Sequence, residues 1–119
     1  MDDTHKEFIT LLNQLADSAD SEFASRFDAL ISHTTSHFQQ EEKLMSESRF
    51  PATAEHRDEH LRILGEFRQF KKRVDAGVIV FARDYIRSRM PEWFCLHAAT
   101  MDSALASHLK SGSPGNTAS

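Results

Sequence analysis

The chain has 119 residues, a formal net charge of −4, and 39% apolar against 27% charged residues, which fits one soluble globular domain and excludes a disordered chain. Four glycines and three prolines are too few for the many turns of an all-β domain. A lone Cys95 excludes an internal disulfide and fits a reducing, cytoplasmic setting, while seven histidines are an excess that composition alone does not explain.

Apolar periodicity predicts four helical segments and a tail. The first, 3–18, places Phe8, Leu11, Leu12 and Leu15 at helical spacing. Its start, Met-Asp-Asp-Thr-His-Lys-Glu-Phe, is acidic and lacks the apolar stretch of a signal peptide. Asp20 or Ser21 is the expected cap of the second segment, which runs to 47. Its inward face reads Phe23, Phe27, Leu30, Thr34, His37, Glu41 and Leu44, stepping alternately by four and three. Pro51 and Thr53 punctuate the loop before the third segment, 54–76, whose face is His56, His60, Ile63, Phe67, Phe70 and Val74. Gly77 is placed to close that helix. The basic run Arg68-Gln-Phe-Lys-Lys-Arg73 reads as its solvated face, so no nucleic-acid partner is expected.

The fourth segment, 79–109, begins at Val78-Ile79-Val80-Phe81, which has strand propensity. The apolar run Val78 to Ala82 is far too short to span a membrane. Beyond it Met90, Phe94, His97, Met101 and Leu105 form the inward stripe, and Pro91 is expected to kink the helix or open its second half. Residues 111–119 read as a disordered polar tail. Alternating steps of three and four are the seam of helices packed near 20°, and three short connections make each helix run against its predecessor. The expected fold is all-α, an up-down-up-down four-helix bundle over 1–110.

Polar residues interrupt these seams. His37, Glu41, His56, His60 and His97 fall on inward faces, His5 shares the stripe of Phe8 and Leu12, and Asp102 borders the seam beside Met101. Buried carboxylates and imidazoles cost several kcal/mol unless paired or bound to a metal. One inward histidine is more often an ordinary core residue. Four contributing helices, with i,i+4 pairs at His37/Glu41 and His56/His60, favour a shared ligand instead. A cysteine-based zinc site is excluded by the single cysteine. His56-Arg57-Asp58-Glu59-His60 matches an inverted zinc-protease pattern with Glu59 as base, but that match leaves His5, His37, Glu41, His97 and Asp102 unexplained. A ferritin-like di-iron oxidase needs Glu-x-x-His pairs, and this chain has none.

The arrangement resembles the hemerythrin family, in particular its bacterial single-domain members. The resemblance rests on Asp-x-x-His-Lys-x-Phe (Asp2 to Phe8), His-Phe-x-x-Glu-Glu-x-x-Met (His37 to Met45), His-x-x-x-His (His56, His60) and Trp-Phe-x-x-His-x-x-x-x-Asp (Trp93 to Asp102). It implies two non-haem irons, cycling between Fe2+ and Fe3+ and joined by an oxo or hydroxo bridge. One iron would take His56, His60 and His97, the other His5 and His37, with Glu41 and Asp102 bridging. This ligand set leaves one position open, on the His5/His37 iron, which suits O2 or another small diatomic or anionic ligand. The imidazole-rich set favours reversible binding over oxidation of a substrate. The expected wall of the O2 pocket is Phe8, Phe38, Trp93, Phe94 and Met101.

Several features depart from the family pattern. Only four residues precede His5, where family members usually have a longer arm, so His5 is the expected weakest ligand. Phe94 and Ala98 stand where Leu and Ile are frequent. His33 and His108 match no ligand position and read as surface residues, Glu42 as a solvated neighbour of Glu41. Both enzyme templates fail on counting, and the resemblance implies an O2-binding protein for storage, delivery or sensing. Two rival uses of the same centre are an enzyme that consumes peroxide or NO and a binding module whose iron or redox state is read by a partner protein.

Overall fold

Four helices account for nearly all of the chain in the computed structural model, which describes residues 2–111, with side chains described from Lys6 to Lys110. They are α1 (Asp2–Ala16), α2 (Asp20–Ser48), α3 (Thr53–Asp75) and a fourth helix over 80–111. Contacts run α1 to α2, α2 to α3, α3 to the fourth helix and the fourth back to α1, which closes the expected bundle. Among the described residues there is no strand, so Val80 and Phe81 open a helix despite their strand propensity. No helix among these residues is long and apolar enough to cross a membrane. The tail expected after the bundle lies outside the described residues from 112 onward.

Helix ends are held by specific contacts. No side chain caps α2: its cap is Ala19, and the expected Asp20 lies inside the first turn, where its charge faces the helix dipole. Asp20 instead accepts a bond from Arg83 at 2.7 Å. The same guanidinium donates to the carbonyls of Ala16 and Ser18, both at 2.8 Å, and Arg87 donates to Ala16 at 3.1 Å. Helix α1 has no basic residue in its own last turn, so the fourth helix supplies the cations for its exposed carbonyls.

Helices α2 and α3 end alike. Arg49 takes the left-handed conformation (φ 55°), the Arg49 N–H donates to Ser46 and the Phe50 N–H to Met45. Phe50 then packs with Met45 and Leu105 in one apolar cluster, as this terminating motif requires. At the end of α3 the residue at positive φ is Gly77 (91°), with Gly77 and Val78 donating back to Val74 and Arg73.

The core departs from the expected stripe in an instructive way. On α2 the buried positions are Phe23, Phe27, Leu30, Thr34, Phe38, Glu41 and Met45. Leu44, expected inward, is 39% exposed, because the 3.6-residue period of an α-helix drifts off a strict 3.5-residue seam. His37 accordingly lies half-buried at the edge of the stripe. On α3, Leu64 joins the stripe and Phe70 is half-buried.

The fourth helix contains two π-turns, Tyr85–Arg89 and Ala98–Asp102. The first precedes Pro91 and lets the Met90 N–H reach back to Tyr85. The wider turn accommodates a proline that has no N–H to donate and whose ring crowds the preceding turn. The second inserts one residue after His97, so the inward step runs from His97 to Asp102 and leaves Met101 half-buried.

Candidate metal centre

A polar layer divides two apolar clusters of the bundle. On one side lie Leu12, Leu15, Phe23, Phe27, Leu30, Ile63 and Phe67, on the other Met45, Phe50 and Leu105. Between them Glu41 of α2, His56 and His60 of α3, and His97 and Asp102 of the fourth helix are all buried, none more than 4% exposed. Helical geometry makes this layer: His56 and His60 are one turn apart, as are His37 and Glu41. His97 and Asp102, five residues apart, would point about 140° away from each other on a regular helix. The π-turn between them brings both inward.

The nitrogen and oxygen atoms of this layer converge. His60 Nε2 lies 3.0 Å from Glu41 Oε1 and His56 Nε2 3.5 Å from the same oxygen. His37 Nε2 lies 3.2 Å from Glu41 Oε2. Asp102 Oδ1 is 3.2 Å from His56 Nε2 and 3.1 Å from His97 Nε2. Despite these distances, the Nε2 atoms of His56, His60 and His97 and both Glu41 oxygens make no aligned hydrogen bond. These atoms cluster closely without pairing off. Ligand atoms of Glu41, His56, His60 and His97 all lie within 4.8 Å of one another, as do those of His37, Glu41 and Asp102. Glu41 belongs to both groups. Buried donors left unaligned in this way fit a metal ion, which takes up lone pairs that hydrogen bonds do not.

Charge attraction acts across the layer even without aligned bonds. Burial opposes the charge on Glu41, but His37, His56 and His60 outweigh it and hold the carboxyl far below the usual range. Burial likewise opposes the charge on Asp102, and His56 and His97 hold its pKa low. His56 is also penalised by burial, yet Asp102 and Glu41 raise it to about 9. The metal-free layer is therefore a cluster of mutually dependent charges.

Aromatic rings fix the imidazoles. Phe38 stacks on His60 with ring centres 3.7 Å apart and planes within 4°, and Trp93 stacks on His97 at 4.6 Å. The Trp93 indole N–H donates to Glu59 at 2.8 Å. Glu59, the would-be base of the protease pattern, thus holds an aromatic ring instead, and Arg62 lowers its pKa.

A cavity adjoins the layer, lined by Phe8, Thr34, His37, Phe38, Trp93, Phe94, His97 and Asp102. Its free space is about 10 Å³ for the centre of a water-sized sphere, room for roughly one water or diatomic molecule. Four of the five expected wall residues line it. Met101 does not, because the second π-turn sends Asp102 inward in its place. Thr34 lines it unexpectedly, its hydroxyl donating to the Leu30 carbonyl at 2.7 Å. Phe8 and Phe94 stack at 4.6 Å across its wall.

Other positions refine the expected site. The side chain of His5 lies outside the described residues, although its backbone belongs to α1. His33 and His108 are half-buried rather than fully at the surface. The His108 Nε2–H donates to the Ser48 carbonyl at 2.8 Å and so ties the fourth helix to the end of α2. Glu42 points away from the centre as expected, but it is only 32% exposed and accepts the Nδ1–H of His60 at 3.1 Å. Periodicity carried a signal for it: Glu42 is one turn beyond Phe38, so both face His60.

Comparison with known proteins agrees with this geometry. The family model of the hemerythrin HHE cation binding domain matches residues 1–110. A bacteriohemerythrin of Ralstonia nicotianae is 35% identical over 113 residues, covering 95% of this chain and 82% of the relative. A bacteriohemerythrin of Aquifex aeolicus is 33% identical, covering 92% and 87%. A myohemerythrin of Sipunculus nudus is 26% identical, covering 86% and 77%. No solved structure gives a significant match. From its bundle, its buried histidine–carboxylate layer and these relatives, the chain belongs to the hemerythrin family.

Proposed function

We propose that this chain holds two non-haem iron ions and binds O2 reversibly. In this reading His56, His60 and His97 hold one iron, His5 and His37 the other, and Glu41 and Asp102 bridge them. The observation that carries it is the pair of ligand groups sharing Glu41, buried beside a cavity for a single small molecule. A bound iron pair with an oxo or hydroxo bridge supplies the electrons and the open position that O2 binding needs.

The chain's own residues define the rest. The bridging carboxylates offset part of the metal charge, and the imidazoles, neutral when ligating, add none. Phe8, Phe38, Trp93 and Phe94 keep bulk water from the cavity, which slows proton entry and loss of bound ligand. A cavity this small admits O2 or another diatomic or small anion, and leaves no room for an organic substrate beside the centre. That favours binding of a small ligand over oxidation of an organic substrate. The unpaired Cys95 supports a cytoplasmic location.

Elemental analysis after anaerobic loading with Fe2+ tests the metal assignment. Two irons per chain are expected, and one tightly held zinc would contradict it. His5→Ala is expected to lose the His5/His37 iron and keep the other, so one iron per chain should remain. Loss of both would contradict the division of ligands.

A further inference from the structure

Each buried imidazole of the layer has an outer nitrogen, Nδ1, on the side away from the convergence point. The three differ there. His56 and His97 have no hydrogen-bond partner at Nδ1. His60 alone donates to a carboxylate, Glu42 of α2, at 3.1 Å. Glu42 is steered in turn by Arg57, whose Nε lies 3.8 Å from its other oxygen. The His60 ring is completely buried, is clamped flat against Phe38, and has Nε2 3.0 Å from Glu41.

From this asymmetry we infer that Glu42 is a positioning residue for the metal centre, acting through His60. A neutral imidazole carries its hydrogen on one nitrogen only, so the bond to Glu42 leaves the Nε2 lone pair facing the ligand cluster. The carboxylate also draws on that hydrogen and makes Nε2 a stronger donor to a metal. Phe38 sets the plane of the ring, and Glu42 sets which edge faces inward. His56 and His97 lack such a partner behind the ring at Nδ1, so His60 is the anchoring ligand of the three. The hydrogen bond also joins α2 to α3 directly behind the site, so the second ligand-bearing helix is held in register by the residue next to Glu41.

This inference rests on the proposed iron centre, and its test separates the two. The full chain is loaded anaerobically with Fe2+, and retention is followed against a graded ferrous chelator for wild type, Glu42→Ala and Glu42→Gln. Thermal unfolding of each metal-free protein is measured alongside. Glu42→Ala is expected to hold iron about 10–100-fold less tightly. Glu42→Gln keeps an oxygen acceptor for the Nδ1–H without the charge and should fall between the two. In zinc-loaded protein, nitrogen NMR should show the His60 hydrogen on Nδ1 in wild type and in Glu42→Gln, exchanging faster in Glu42→Ala. A wild type that takes up no iron overturns the iron centre and this inference with it. A wild type that loads, with Glu42→Ala retaining iron equally well, overturns this inference alone. So does a Glu42→Gln loss equal to that of alanine, because the acceptor would then not matter. If metal-free Glu42→Ala unfolds, the glutamine variant carries the comparison, since it preserves the side chain's size and its contact with His60.

Discussion

Glu41→Ala is expected to abolish retention of both metals, because among the described residues Glu41 belongs to both clusters of ligand atoms. Its oxygens meet His37 on one side and His56 and His60 on the other, within 3.5 Å. The effect should extend to the metal-free fold. Removing this carboxylate leaves Asp102 as the only anion in the described layer to balance the surrounding imidazoles. Breaking a buried charge cluster in this way costs about 3–5 kcal/mol, which in a domain of this size is a fall in melting temperature of more than about 10 °C. Iron analysis after desalting and thermal unfolding by circular dichroism read the two effects separately. A variant that keeps two irons, or a metal-free variant that melts with wild type, contradicts the shared role of Glu41.

The second large effect is a divergence between metal-free and metal-loaded protein as pH rises. In the metal-free layer the folded state raises the His56 pKa from 6.5 to about 9. The group therefore binds its proton more tightly when folded than when unfolded. Its contribution to stability is complete below about pH 6.5 and is lost as pH rises through 9. A shift of this size corresponds to on the order of 3 kcal/mol. Metal ligation demands the opposite protonation state, a neutral imidazole, so loading near neutral pH releases a proton and affinity rises with pH. Thermal unfolding between pH 6 and 9.5 should show the metal-free melting temperature falling while the gap to the loaded protein widens. Parallel curves for the two forms would contradict this. At the acid end the carboxylates act with the reverse sign. Glu41 and Asp102 have depressed pKa values, so their contributions are present above about pH 4.5 and fade as acid protonates them.

Most of this architecture can be read from residue spacing. The bundle follows from apolar residues recurring at helical steps on four segments, and the polar layer from histidines and a glutamate on the same steps. What spacing cannot supply is the local departure from a regular helix. Asp102 sits five residues after His97, off the face by regular geometry, and only the Ala98–Asp102 π-turn makes it inward. That same turn removes Met101 from the cavity wall. The expected inward position of Leu44 failed for a related reason, since a strict alternating step of about 3.5 residues drifts off the 3.6-residue period of an α-helix.

Residues acting from behind the ligands were harder to see, because they depend on how helices face one another. Glu42 and His60 are 18 positions apart, and Glu59 and Trp93 are 34 apart. Glu42 carries only a partial mark, its place one turn beyond Phe38, and nothing local pairs Glu59 with Trp93. The left-handed Arg49 has no glycine to announce it. Arg83 gives no sequence sign that it closes α1 at Ala16, 67 positions away, and the turn just beyond it at Ser18, 65 away.

Reversible O2 uptake by the iron-loaded chain is the most direct test of the central reading. The protein is reconstituted anaerobically with Fe2+, exposed to O2, and returned to argon through several cycles, with dissolved O2 and the visible spectrum followed together. One O2 taken up per two irons is expected, with a visible absorption band that appears on exposure and fades when O2 is removed. Continuous O2 consumption, or a loaded protein whose spectrum does not respond to O2, would contradict it.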